Sequence, residues 1–195
     1  IDNKILGCFE IKNKYREGLN ELVQNLKKEY SLTVLTGDNP SEKENLEYIF
    51  GTDSNLLFNQ LPEDKLNYIE SLKSYQKKVV MVGDGLNDAG ALIASNVGIT
   101  VSDSKNNFSP ACDIIMDSSV LKKLHTFIRF AKTGKQIIIG SFIISIIYNI
   151  VGLYFAVQGT LSPVIAAILM PLSSISIVVF TTSMSSLAAK LYKLN

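Results

Sequence analysis

The sequence lacks acidic residues after Asp117 and lacks charge altogether over a long stretch near its end. All 18 acidic residues lie at or before Asp117, and no charged residue occurs between Lys135 and Lys190. A stretch of this length can cross a bilayer twice, at about 20 residues per crossing. The net charge of +1 is therefore a sum over a soluble part and a membrane part, and we expect no nucleic-acid partner.

Cysteine is also scarce. Cys8 and Cys112 are the two cysteines, and no Cys-x-x-Cys pair occurs. This usage excludes a disulfide framework and a cysteine zinc site, and it predicts two ordinary buried thiols in a reducing compartment. The sequence has no initiator methionine and no signal peptide, and it opens in the middle of a strand pattern. We therefore expect it to be the C-terminal part of a longer protein.

The most informative stretch is residues 79–92, VVMVGDGLNDAGAL. Four apolar residues closed by Gly-Asp-Gly predict a buried parallel strand with Asp84 at its C-terminal edge, where ligands bind in open α/β sheets. With Asn87 and Asp88 following, the cluster has the oxygen ligands that suit Mg²⁺. The alternative is an ordinary turn in which Asp88 caps a helix.

The rest of the soluble part alternates strands and helices, which predicts an α/β fold with a parallel sheet. Strands are expected at residues 5–11, 32–35, 56–59, 79–82, 97–101 and 113–116, and helices at 14–28, 40–50, from 62 onward and 86–95. The strand ends present polar residues to one edge: Thr36 with Asp38, Asn59 with the nearby Lys65, and Asp84 with its neighbours.

These polar residues are consistent with a phosphate site. The Thr36 hydroxyl can donate to a phosphoryl oxygen, the Lys65 ammonium can neutralise it, and a cation on Asp84 can bridge it to the protein. Each residue alone has a simpler interpretation: Thr36 as a turn residue, Lys65 as a solvated lysine and Asp38 as a helix cap.

The end of the chain predicts a membrane hairpin. Residues 118–135 read as a basic connector helix, residues 136–157 as a first span, and residues 162–189 contain a second span after a turn at Gly159. The predicted domains are thus 1–117, 118–135 and 136–195. Lysine and arginine flank the outer ends of the hairpin, so the positive-inside rule places both ends and the soluble domain in the cytoplasm.

Three blocks carry a resemblance to a known family: TGDN at residues 36–39, PEDK at 62–65 and MVGDGLNDAGAL at 81–92. Together they resemble the C-terminal half of the phosphorylation domain of a P-type ATPase, a haloacid dehalogenase-like fold. Two closing spans are similar to the end of the heavy-metal-transporting branch. The resemblance implies Mg²⁺ and ATP as cofactors of the complete protein.

The resemblance also implies roles for individual residues near the phosphate. It assigns Thr36, Gly37 and Lys65 to the phosphoryl group. Asp38 would belong to the loop that engages the actuator domain during dephosphorylation.

The resemblance assigns the magnesium ion to Asp84. Asn87 and Asp88 would order the site around it. One departure is that the family usually has proline where this chain has Gly90, which bears on packing more than on the assignment.

A larger departure is that two motifs are absent. One is Asp-Lys-Thr-Gly-Thr, whose aspartate accepts the phosphate in this family, and the other is the Cys-Pro-Cys span expected of a copper pump. Without the nucleophile the covalent step cannot proceed. The chain alone is expected to be inactive, with the upstream remainder of the pump as its partner.

The spans carry polar residues at membrane depth: Tyr148 and Asn149 in the first, and Met170, Ser173 and Ser174 in the second. A thioether and small polar groups without a carboxylate suit Cu(I) better than Zn²⁺, and the pattern resembles that of copper transporters. Alternatively, Met170 fills a packing gap and the serines allow close helix contact.

The sequence thus predicts part of an ATP-driven heavy-metal exporter, with Cu(I) as the transported ion, in the inner (plasma) membrane. The alternatives are a non-catalytic half-pump or regulatory membrane partner, a zinc- or cadmium-transporting pump, and a membrane-tethered phosphatase of the same fold.

Overall fold

A computed structural model describes residues 15–84, 86–103 and 112–194 of the chain. The chain divides into two units, residues 1–125 and residues 126–195, and each is described by itself. The predicted strand at residues 5–11 and the thiol of Cys8 lie outside the described residues.

The first unit alternates helices and strands in the predicted order. Its elements are α1 (Leu19–Lys27), β1 (Thr33–Leu35), a 3₁₀ turn (Pro40–Glu42), α2 (Lys43–Phe50), β2 (Asn55–Leu57), α3 (Pro62–Ser74), β3 (Val80–Gly83), α4 (Ala89–Ala94), β4 (Val97–Ser102), β5 (Ile114–Asp117) and a second 3₁₀ turn (Ser118–Lys123). Pro40 and Pro62 each occupy the first helical turn, where the missing N–H costs nothing. The predicted α/β class with parallel strands is confirmed.

The described strands form two parallel sheets. In one, β1 pairs with β2, so that Leu35 lies opposite Leu57. In the other, the order is β3-β4-β5, with Gly83 opposite Thr100 and Thr100 opposite Ile115. Within the part of the chain that the structure describes, no ladder joins β1 to β3. The single sheet expected from the sequence is therefore divided here.

One apolar cluster lies beneath both sheets. It contains Ile69 of α3, Met81 of β3 and two residues of α4, Ala91 and Leu92, all 9 % exposed or less. Leu35 of β1 packs against the same cluster. Burial of such side chains contributes about 1.5–3 kcal/mol each, so this cluster fixes the ends of β1 and β3 relative to α3.

The other face of β3 is open. The four-residue apolar run predicted a strand buried on both faces, and this prediction is wrong for the described residues: Val80 and Val82 are 49 % and 39 % exposed, whereas Met81 between them is buried. Side chains alternate along a strand, and α3 and α4 cover only the Met81 face. An exposed apolar strand face of this kind is typical of a surface that meets another polypeptide.

Two ion pairs tie the outer elements of this unit together. Arg16 makes a two-point contact with Asp103, at 2.6 and 2.9 Å, and Lys27 Nζ contacts Asp53 Oδ1 at 2.6 Å. Hydrogen bonds from Arg16 and Lys27 hold the pKa of Asp103 and of Asp53, respectively, below the usual value of 3.8.

The sign of these pKa shifts predicts a pH dependence. A carboxyl whose folded pKa is lowered adds stability at pH values above its unfolded pKa and loses it as the pH falls through the folded pKa. We expect the double variant Asp53→Asn/Asp103→Asn to be less stable than wild type at pH 7 and to converge with it at an acid pH below the folded pKa of both carboxyls. Urea unfolding in detergent micelles, followed by near-ultraviolet circular dichroism at both pH values, measures this difference. An equal gap at both pH values would contradict the prediction.

The second unit is a helical hairpin. Helix α5 (Leu124–Val157) has 34 residues and α6 (Pro163–Leu191) has 29, and both are long and apolar enough to cross a membrane. The Ser162 hydroxyl accepts the N–H of Ile165 at the start of α6. The helices approach closely at Gly140, where a Cβ would lie 3.0 Å from the Phe180 ring. The predicted connector at residues 118–135 is a 3₁₀ turn that leads directly into α5.

Candidate functional site

The loops after β1 and β2 are joined by backbone hydrogen bonds. The Thr36 N–H donates to the Leu57 carbonyl, the Gln60 N–H donates to the Thr36 carbonyl, and the Asn59 N–H donates to the Asp38 carbonyl, at 2.9–3.0 Å. The pairing of the two strands thus continues beyond their ends. As the sequence predicts, Thr36, Asp38 and Asn59 are brought to one edge.

Thr36 and Asp38 bond to each other. The Thr36 hydroxyl donates to Asp38 Oδ2 at 3.0 Å and accepts the Asp38 N–H at 3.1 Å. Asp38 does not cap the following helical turn, because the Asn39 side chain accepts the Ser41 N–H there. Asp38 is exposed, and Gly37 between the two residues is exposed as well, so the loop presents a hydroxyl and a backbone to solvent.

A tyrosine lies near this acidic loop. The Tyr15 hydroxyl donates to Glu42 Oε2 at 3.1 Å. Partial burial, the hydrogen bond to Glu42 and the negative charges of Glu42 and Asp38 raise the pKa of the phenol above 10.0. Tyr15 therefore remains a neutral hydrogen-bond donor beside the loop.

A largely buried ion pair in the first unit joins Lys65 and Asp88. Lys65 Nζ, on α3, lies 2.8 Å from Asp88 Oδ1, after β3, and both side chains are 12 % exposed. The alternative in which Lys65 is a solvated lysine is thus wrong. Asp88 sits at the N-terminus of α4, but its side chain makes no capping hydrogen bond. The pair is held instead by the packing of α3 against α4, through Ile69 and Leu92.

Gly83 makes room for the Asp88 carboxylate. A Cβ added at Gly83 would lie 2.4 Å from Asp88 Oδ2 and 2.9 Å from Asp88 Cβ. Both distances are below ordinary van der Waals contact, so glycine is required here for the close approach of a side chain. The absence of a side chain at Gly83 therefore allows the Asp88 carboxylate to reach its position in the ion pair with Lys65.

Asp84 and Asn87, which are next in the chain to Gly83 and Asp88, are both exposed. Asp84 Oδ1 accepts the Leu86 N–H at 3.2 Å, which orients the carboxylate at the end of β3. Among the described residues no group of three or more histidine, cysteine or acidic side chains could hold a metal. A single carboxylate nevertheless fits Mg²⁺, which commonly takes one or two carboxylates and completes its shell with water and phosphate oxygens. Asp84 would hold the ion, and the ion would neutralise phosphate charge there.

The sequence analysis missed Thr100. This residue of β4 lies opposite Gly83, is 1 % exposed, and within the described part of the chain its hydroxyl has no hydrogen-bond partner. Paired residues of parallel strands point to the same face, so this hydroxyl lies on the face over which the Asp88 carboxylate sits. Nothing in the strand pattern distinguishes this threonine from an apolar residue.

Thr100 gives a stability prediction. A buried hydroxyl without a partner costs about 1–3 kcal/mol, so we expect Thr100→Val to raise the free energy of unfolding by about 1 kcal/mol. Thr52→Val, at an exposed turn position, is the matched control and should change little. Urea unfolding of the full chain in micelles measures both. Destabilisation by Thr100→Val would mean that the hydroxyl has a partner in solution.

The second unit contains an open cleft of about 390 Å³ between α5 and α6. Four of the five polar or sulfur-bearing residues predicted at membrane depth line it: Tyr148, Asn149, Met170 and Ser173. Ser174 does not line it. The next residue along a helix is turned by about 100°, so Ser173 and Ser174 cannot share one face.

The hydrogen bonds of the cleft involve one residue that the sequence analysis missed. The Tyr148 hydroxyl lies 3.0 Å from Ser176 Oγ, and Ser176 in turn donates to the Leu172 carbonyl, so Tyr148 is the donor between the two hydroxyls. Met170 is 78 % exposed, so it fills no gap between α5 and α6 themselves. Pro171, within α6, leaves the Ala167 carbonyl without its usual helical donor.

Comparison with known proteins identifies the family. Residues 1–96 match the haloacid dehalogenase-like hydrolases. The chain is 32% identical over 186 residues to the probable copper-importing P-type ATPase A of Enterococcus hirae, covering 94% of this chain and 26% of that protein. It is 33% identical over 182 residues to the copper-exporting P-type ATPase of Staphylococcus haemolyticus, covering 91% and 22%. The chain therefore spans about a quarter of the length of these relatives.

A solved structure supports the fold. The crystal structure of a zinc-transporting PIB-type ATPase in the E2.Pi state matches 93% of this chain and 28% of its own, with a TM-score of 0.71 and 22% identity. The two parallel sheets, the TGDN and GDGLND blocks and the two long apolar helices all agree with this similarity. The chain belongs to the P-type ATPase family, of which it comprises a haloacid dehalogenase-like portion of the phosphorylation domain and two long apolar helices.

Proposed function

We propose that this chain supplies the magnesium- and phosphate-ordering part of an ATP-driven copper pump that cycles through an aspartyl phosphate. The observation that carries the proposal is the largely buried Lys65–Asp88 pair, whose carboxylate sits on Gly83, the residue that precedes the exposed Asp84. A buried pair of this kind costs desolvation energy and is weak support for stability alone. It does provide an ammonium group that is held in place by Asp88, after the strand end that carries the exposed Asp84.

The residues have distinct roles in this proposal. The Thr36 hydroxyl, when it turns from Asp38 to the phosphate, and the Gly37 backbone N–H donate to phosphoryl oxygens. Lys65 neutralises the phosphoryl charge when it exchanges part of its contact with Asp88 for the phosphate. Asp84 holds Mg²⁺, while Asp88 keeps Lys65 in place. Phosphoryl transfer asks a protein chiefly for such positioning and charge stabilisation.

Two further roles concern the rim of the site. Asn87 is exposed next to Asp88 and would order the groups around the cation. Asp38 is exposed and bonded to Thr36, so its carboxylate is oriented outward for contact with an actuator domain. The bond to Thr36 would make that contact sensitive to the phosphate.

The chain needs a partner, because it contains no Asp-Lys-Thr-Gly-Thr motif. We propose that the upstream remainder of the pump supplies the nucleophilic aspartate and covers the open face of β3. The exposure of Val80 and Val82 and the missing ladder between β1 and β3 in the described residues support such a contact. By itself this chain would not hydrolyse ATP.

The transported ion would be Cu(I), passing the cleft between α5 and α6. The cleft offers a thioether at Met170, an amide at Asn149 and hydroxyls at Tyr148 and Ser173, without a carboxylate. A soft monovalent ion suits such ligands, whereas Zn²⁺ favours a charged partner. Ser174 lies outside the cleft, so its hydroxyl would contact another helix of the pump and not the ion in this cleft. Export is the proposed direction.

The pump would reside in the inner membrane. Arg129 and Lys132 precede the apolar part of α5, and Lys190 and Lys193 follow that of α6. By the positive-inside rule these ends, and with them the soluble domain, face the cytoplasm.

Met170→Ile tests the ion path. Removing the thioether while keeping an apolar side chain should lower Cu(I)-stimulated ATPase activity of the complete pump about tenfold, while the helical content stays unchanged. Met184→Ile in the same helix, outside the cleft residues, is the matched control and should retain activation. Full activation of the Met170 variant by Cu(I) would remove this residue from the ion path.

The upstream gene sequence tests the partner proposal. We expect a reading frame that continues upstream through Asp-Lys-Thr-Gly-Thr, or a separate gene that encodes that half and whose product binds this chain. A start codon directly before the Ile1 codon, together with no such half in the genome, would contradict the proposal.

A further inference from the structure

Two hydroxyl groups line the cleft between α5 and α6, and both give their protons to acceptors on α6. Ser173 Oγ donates to the Met170 carbonyl at 2.9 Å. The Tyr148 hydroxyl donates to Ser176 Oγ at 3.0 Å, because Ser176 gives its own proton to the Leu172 carbonyl at 2.8 Å. A hydroxyl has a single proton, so the oxygens of Tyr148 and Ser173 have only lone pairs left to offer the cleft.

Ser176 is not among the residues that line the cleft. It lies three positions after Ser173 on α6, and both side chains are half-buried, as is Phe180, whose ring faces Gly140 of α5. Residues three, four and seven positions apart lie on one face of a helix. Ser176 is therefore on the face of α6 that meets α5, beside the cleft rather than in it, and it reaches the cleft through Tyr148.

The other polar groups of the cleft also offer acceptor atoms. The Met170 thioether carries no proton, and the Asn149 amide has a carbonyl oxygen. The cleft lies in the uncharged part of the chain, so no carboxylate of this hairpin attracts a cation to it. Cation binding then depends on the direction of the side-chain dipoles, and a hydroxyl whose proton pointed into the cleft would repel a cation.

We propose that Ser176 is a positioning residue for the ion path, because by accepting the Tyr148 proton it leaves the phenol oxygen free to bind a cation in the cleft. This inference rests on the proposed function, in which a soft monovalent cation passes the cleft. Without the Ser176 hydroxyl, the phenol proton would lose its acceptor and could turn into the cleft. The simpler alternative is that Ser176 bonds its own helix and that its contact with Tyr148 only holds the two helices together.

Activation of the complete pump by Cu(I) tests this inference, with the Cu(I) concentration that gives half-maximal ATPase activity as the readout. Ser176→Ala should raise that concentration about fivefold, the effect expected for one lost hydrogen bond. Tyr148→Phe should raise it at least as much. The double variant Tyr148→Phe/Ser176→Ala should add nothing to Tyr148→Phe alone, since the two side chains act as one unit. Ser176→Thr, which keeps a hydroxyl able to bond the same carbonyl, should restore the wild-type concentration.

Ser183→Ala is the matched control, because Ser183 is an exposed serine of the same helix that does not line the cleft. It should activate at the wild-type concentration. An equal effect of Ser176→Ala with and without the Tyr148 hydroxyl would overturn the inference, since Ser176 would then act on helix packing alone. If Ser176→Ala activates like wild type whereas Met170→Ile does not, this inference is wrong and the ion path stands. If neither variant differs from wild type, the ion path through the cleft is wrong as well.

Discussion

Asp84→Asn in the complete pump is expected to abolish phosphoenzyme formation from ATP, lowering acid-stable labelling at least about 100-fold. Asparagine keeps the oxygen that accepts the Leu86 N–H, so the end of β3 should stay folded. What is lost is the negative charge, which Mg²⁺ requires of its protein ligand. Labelling with γ-³²P-ATP under limiting Mg²⁺ measures the effect.

The control for this variant is Glu63→Gln, which neutralises another exposed carboxylate, in the first turn of α3. It should leave labelling unchanged. Mg²⁺-dependent labelling of Asp84→Asn at the wild-type level would show that this carboxylate does not hold the cation, and the proposed site would have to be moved.

Gly83→Ala should have the largest effect on the stability of the first unit. The added methyl would overlap the Asp88 carboxylate, at 2.4 Å from Oδ2, and push it away from Lys65. Overpacking costs about 1–3 kcal/mol, and leaving a buried ammonium without its partner adds to this. We expect a loss of about 3 kcal/mol in the free energy of unfolding, measured by urea denaturation in micelles.

Gly90→Ala is the matched control, because a Cβ at that position meets Leu66 at an ordinary 3.8 Å. Gly90 lies within α4, where alanine is the better helix former, so the variant should be neutral or more stable by up to about 1 kcal/mol. If both glycine variants unfold at the same urea concentration, the Asp88 carboxylate does not sit on Gly83 in solution.

The strand and helix order could be predicted from the sequence because the pattern is local. The run before Gly83 predicts a strand, and Pro62 predicts the start of a helix, and both elements are found. The burial of that strand on both faces could not be predicted. Burial depends on what covers the Val80 face, and within the described residues Val80 is left 49 % exposed.

The site itself was only partly predictable. The positions of Lys65 and Asp88 near one sheet edge follow from the strand order. Their mutual contact does not, because the two residues are 23 positions apart in the chain and meet only through the packing of α3 on α4. The same holds for Thr100, which is distinguished from an apolar strand residue only by its place opposite Gly83.

The helical hairpin was likewise only partly predictable from the sequence. The uncharged run between Lys135 and Lys190 is enough to predict two apolar helices. Which serines share a cleft with Tyr148 depends on helix rotation, and the structure places Ser173 in it and Ser174 outside it.

The most direct measurement is phosphoenzyme formation when this chain is mixed with a polypeptide that carries the upstream Asp-Lys-Thr-Gly-Thr half. We predict acid-stable, hydroxylamine-sensitive ³²P on the upstream half, in the mixture with Mg²⁺ and absent from either polypeptide alone. Incorporation by the upstream half at the same rate without this chain, or incorporation into this chain by itself, would contradict the proposal that the chain completes a phosphorylation site.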